Sequence, residues 1–79
     1  MRLYTIYDRA AEESGPVFQA KNDSVARRGY MQAIDGSSAP YDFDLYYIGD
    51  YNEQTMQLTQ LSQPCRVETE NVIMEVMEK

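Results

Sequence analysis

The sequence predicts an α+β fold in the order β-β-α-β-β, with one helix packed on a small antiparallel sheet and an amphipathic helix at the C-terminal end. Three observations predict it. Two short stretches rich in β-formers lie either side of a polar loop near the start, a helical apolar periodicity follows them, and a long aromatic strand with a hairpin partner comes next. Seventy-nine residues leave room for one core, read here as an α+β body over residues 1–62 and a helical segment over 63–79.

Residues 2–8 alternate loosely and carry Leu3, Tyr4, Thr5, Ile6 and Tyr7, side chains that suit a pleated surface, so they predict the first strand. Asp8 to Pro16 is polar and closes on a Gly-Pro breaker, which predicts a loop. Val17–Ala20 is a short second strand, either hairpin partner to the first or separated from it in the sheet. Asn22 or Asp23 then caps a helix, because a short side-chain oxygen satisfies the free amides of the first turn. Val25, Ala26, Gly29, Tyr30, Ala33 and Ile34 recur along one helical face, and Asp35-Gly36 stops it. Phe43–Tyr51 is the strongest strand, apolar or aromatic on both faces at its centre and so interior to the sheet. Asn52-Glu53-Gln54 turns the chain into a fourth strand through Met56, Leu58 and Thr59. Gln63-Pro64 breaks what precedes it. From Glu68, the spacing of Val72, Ile73, Val76 and Met77 predicts the last helix, with acids at its start and a Glu75–Lys79 pair.

Composition narrows the chemistry. The chain has no histidine, which removes the usual general base and the commonest metal ligand. Its one cysteine, Cys65, excludes an intramolecular disulfide and fits a reducing cytoplasm. The start is too short and polar for a signal peptide, and no apolar run approaches the ~20 residues of a membrane span. Small size favours a homodimer as a way to bury more surface. A net charge of −6 repels phosphate backbones at long range, and Glu68, Glu70, Glu75 and Glu78 crowd one end. Asp42, Asp44 and Asp50 are the carboxylates a hydrolase would use, Asp44 and Asp50 sharing a face by alternation; their stronger reading is solvated acids. They lack any recognised metal-loop spacing, so neither metal nor cofactor is expected, and neither is enzymatic activity.

One constellation points to nucleic acid. Lys21, Arg27 and Arg28 cluster around the helix start, and Arg2 and Arg9 flank the first strand, with tyrosines between them. Exposed tyrosines stack on unpaired bases while cations hold the backbone, which makes Tyr46 and Tyr47 the stacking candidates and Arg27 and Arg28 the phosphate contacts. The competing reading puts the tyrosines in the core and sets the basic residues against neighbouring acids.

Two stretches carry a resemblance. Leu3-Tyr4-Thr5-Ile6-Tyr7-Asp8-Arg9 leads through Gly15-Pro16 into Lys21-Asn22-Asp23-Ser24, and Asp42-Phe43-Asp44-Leu45-Tyr46-Tyr47-Ile48-Gly49 follows later. Over about residues 1–62 the chain resembles the small nonstructural protein of microviruses, the single-stranded DNA phages, and of their gokushovirus branch in particular. The resemblance implies a nonstructural protein in the cytoplasm of the infected bacterium, acting in viral single-stranded DNA replication or its switch to packaging. It implies no catalytic residue. Its expected partner is single-stranded DNA or a replication protein; the alternative is an acidic homodimeric adaptor that binds a host or viral protein without touching DNA. A contiguous basic surface would favour the first and a scattered one the second.

Overall fold

The tyrosine-rich segments at positions 2–8 and 43–52 lie side by side at the centre of one antiparallel sheet. The computed structural model describes residues 1–77, the side chains of Val76 and Met77 excepted. The expected Glu75–Lys79 pair and Glu78 fall outside the described residues. Strand β1 (Arg2–Asp8) is flanked on one side by a broken edge, β2 (Glu13–Ser14) and β3 (Phe18–Ala20). On its other side runs β4 (Phe43–Asn52), which pairs in turn with β5 (Gln57–Val67). The class is mixed α and β, as expected. The expected second strand is present as Phe18–Ala20, but the stretch expected as a loop holds a further short strand, Glu13–Ser14, kept apart from it by Gly15 and Pro16, proline having no amide to give to a ladder.

Helix α1 (Asp23–Ile34) is capped as its sequence requires, the Asn22 side chain accepting from the Val25 amide at 3.0 Å. It buries Ala26, Tyr30 and Ile34, one row at a spacing of four, against the sheet. Val25 and Ala33, expected on that face, are exposed, Val25 at 39%. Gly29 has a packing reason: a side chain there would meet the Phe18 ring at 3.4 Å. Gly36, at φ +85, ends the helix. Helix α2 (Glu70–Met77) returns to pack against α1, burying Ile73. Arg27 ties the two helices together, its Nε donating to the Glu68 carbonyl at 2.8 Å.

Tyr4, Tyr30, Ile34, Leu45, Val67 and Ile73 form the centre of the core between this helical layer and the sheet. Two of those six are tyrosines, so each buried hydroxyl needs a partner. Tyr30 donates to the Phe43 carbonyl at 2.7 Å and Tyr4 to Asp23 Oδ1 at 2.6 Å.

β5 departs most from expectation. It continues through Pro64, and its register jumps: Tyr47 pairs with Cys65 and Gly49 with Gln60, so Ile48 alone opposes Leu61 to Pro64. The same place is irregular against β1, where Leu3 pairs with Gly49 and Tyr4 with Tyr47. Ile48 is an extra residue in β4, and beyond it the alternation of faces reverses.

Candidate functional site

Alternation along β1 sends Tyr4 and Ile6 toward the helices and Leu3, Thr5 and Tyr7 to the opposite, open face. Tyr46 and Ile48 of β4 join them there. The Leu61–Pro64 excursion of β5 rises along one side of this face as a wall, and Val17 stands on the other. The result is a groove of about 860 Å³ on a sheet whose other side is covered. Among the described residues, none that line it is charged. Gly49 permits β5 to pass close beside it just ahead of this wall, since a Cβ at that position would lie 2.4 Å from the Thr59 carbonyl oxygen.

The cations near this groove are already engaged. Asp44, its side chain 12% exposed, is held between Arg9 Nε at 3.2 Å and Arg66 Nε at 3.6 Å. Arg66 also reaches Glu70 at 3.3 Å. Such partly buried, doubly paired carboxylates leave little free positive field at that end of the groove.

The sequence-predicted residues do not meet in one place. Lys21 sits in the turn before α1, and Arg28 is exposed on that helix. Arg27 is partly buried on its Glu68 contact. All three belong to the helical side, whereas Tyr46 lies on the open face with the sheet between them. Tyr47 is also on the helical side: its ring packs on Tyr4 with centroids 5.6 Å apart, and the Arg2 guanidinium lies 4.7 Å over it. Its hydroxyl donates to Asp50, a bond that, with burial, raises the phenol above its ordinary pKa. Arg2 in turn binds Asp23 at 3.1 Å. Asp44 and Asp50, expected to share a face, lie on opposite ones: Asp44 pairs with Tyr7 and Asp50 with Arg2, because the extra Ile48 reverses the alternation between them. Sequence reasoning missed the groove itself. Its available signals were the alternation of Leu3, Thr5 and Tyr7 and the lack of any charge from Gln54 to Cys65.

These features define a small α+β domain that shields one sheet face with helices and carries on the other a tyrosine-bearing groove with an uncharged lining. Among the described residues, no helix is long and apolar enough to cross a membrane. The chain belongs to the phage ORF5 protein family, whose model matches residues 1–75. No curated protein and no solved structure matches it.

Proposed function

We propose that this phage protein is a nonstructural accessory factor of a microvirus, gokushovirus-type, that acts by binding in single-stranded DNA replication or its switch to packaging. Its binding surface on this reading is the open sheet face, and the ligand is a protein, a replication protein foremost. The observation that carries the reading is the uncharged lining of the groove. Contact with DNA draws most of its affinity from neutralised phosphates, and this groove offers none of the cations that would neutralise them. A protein partner needs an apolar centre with aromatic anchors, which Leu3, Ile48, Tyr7 and Tyr46 supply.

A second reading, direct contact with single-stranded DNA, rests on the exposed Lys21 and Arg28 on α1. Its cations and its open-face tyrosine are on opposite sides of the sheet, which weakens it. One pair of measurements separates the readings: fluorescence anisotropy of a single-stranded oligonucleotide at low salt, and calorimetric titration with the phage replication protein. The expected result is no oligonucleotide binding, with replication-protein binding abolished by Tyr46→Asp and kept by Arg27→Ala/Arg28→Ala. Oligonucleotide binding that weakens with salt and with the double arginine variant would put the DNA reading first.

A further inference from the structure

The sheet ends differently on its two sides. The β2–β3 edge is broken at Gly15-Pro16 and has Glu12 and Glu13 beside it, features that keep a strand edge from pairing with another chain. The β5 edge has no such protection in its first stretch, Gln57 to Gln60, ahead of the bulge and Pro64. A quarter of the chain is charged, yet Gln54 to Cys65 contains no charged residue. Nearly all of β5 is exposed, with Leu58 at 66% and Met56, just before the strand, at 77%. An uncharged, exposed edge strand is a template for strand addition.

We infer that this edge is an assembly surface and that its occupant is the β5 strand of a second copy of the chain. Charge and symmetry select that occupant. Each copy carries −6, so two copies come together only where neither presents charge at close range. Across a two-fold axis, identical antiparallel strands place each residue opposite a residue of the same segment, so any charged pair of one sign would repel. With the axis through Leu58, that residue faces the other copy's Leu58 and Gln57 faces its Thr59, pairs that alternation places on one face of the sheet. The two exposed leucines then cover each other, and uncharged side chains meet on either side of them. A basic protein or a nucleic acid would find nothing on this edge to select it by charge.

The same asymmetry sets the size of the assembly. Joining β5 to β5 uses the one unprotected edge of each chain and leaves only blunted edges outward, so pairing closes at two. The four-residue bulge and Pro64 confine regular pairing to a short stretch beside the hairpin, so the contact is small beside a standard interface of about 800 Å² per partner. The dimer is accordingly a weak one whose population depends on concentration. This inference concerns the edge, not the groove, and stands whether or not the groove takes the partner proposed above.

Sedimentation velocity over a wide concentration range tests it, with Gln57→Lys/Thr59→Lys and Gln57→Glu/Thr59→Glu beside the native chain. The native protein is expected to move from monomer to dimer as concentration rises, and each variant alone to stay monomeric with an unchanged circular dichroism spectrum. A mixture of the two variants, whose opposed charges now attract, is expected to dimerise again. A native chain that stays monomeric throughout, a dimer untouched by either variant, or a mixture that fails to reassociate would each overturn the proposal.

Discussion

Tyr4 is fully buried, yet its hydroxyl reaches Asp23 at the start of α1, which also receives Arg2. One phenol thus contributes to the core and fastens the first strand to the helix start. Burial, with the Asp23 hydrogen bond adding to it, pushes this phenol up to about 12. Tyr30, mainly through burial, and Tyr47, mainly through Asp50, are raised as well. An unfolded tyrosine titrates near 10. Below that value both states keep the proton and the stabilisation is intact. Between about 10 and 12 the unfolded chain loses protons that the folded one retains, so stability falls as pH rises through that window. Denaturation midpoints measured on the alkaline side are expected to drop along this course. Tyr4→Phe is expected to flatten the drop and to cost about 1 kcal/mol at neutral pH, the usual worth of a partly buried hydrogen bond.

Among the elements, α1 and β4 were the most legible. Their determinants are local: an asparagine cap, a row at a spacing of four, and a run of β-formers. The cause of the groove was not legible, because it lies in pairing between distant segments. Nothing near Gln63-Pro64 reveals that the strand resumes at Cys65, since the resumption depends on Tyr47 and Leu45 being in place to receive Cys65 and Val67. Ile48 gives no local sign of being an extra residue either, and the face expected for Asp50 turned over in consequence. Lys21 and Arg28 are exposed and Arg27 holds the Glu68 carbonyl, and that all three lie across the sheet from Tyr46 was beyond the reach of spacing. The β4–β5 bulge can be tested directly at Gly49. Gly49→Ala forces a Cβ onto the Thr59 carbonyl, and the expected cost is about 2 kcal/mol by denaturant unfolding, in the range of overpacking. Unchanged stability would mean that β5 can shift freely at Thr59.

Considered whole, the molecule is longer than its mass requires. Its radius of gyration is 13.0 Å and its extents are 42 × 24 × 17 Å, where a compact chain of this length would have a radius of about 12 Å. Its acidity acts on any association it undergoes. Two copies at −6 repel each other through solvent, and added salt screens that repulsion. Self-association is therefore expected to strengthen as ionic strength rises from low to physiological. Phosphate-driven binding has the opposite sign, so the salt slope of any measured association identifies its chemistry before a single variant is made.

The pairing of Tyr4 with Tyr47 across the middle of the sheet also governs when the protein can fold. While the first 42 residues emerge from the ribosome, β1 has only a broken edge beside it, and α1 has no Leu45 to pack on. Tyr30 still lacks the Phe43 carbonyl that its hydroxyl needs. The core closes only when β4 is delivered, so folding comes late in synthesis and largely in one step, with the slow rate expected of distant strand partners. A chain cut short before that strand leaves two tyrosines and a helix face exposed, a species for proteases to clear and not a smaller working domain.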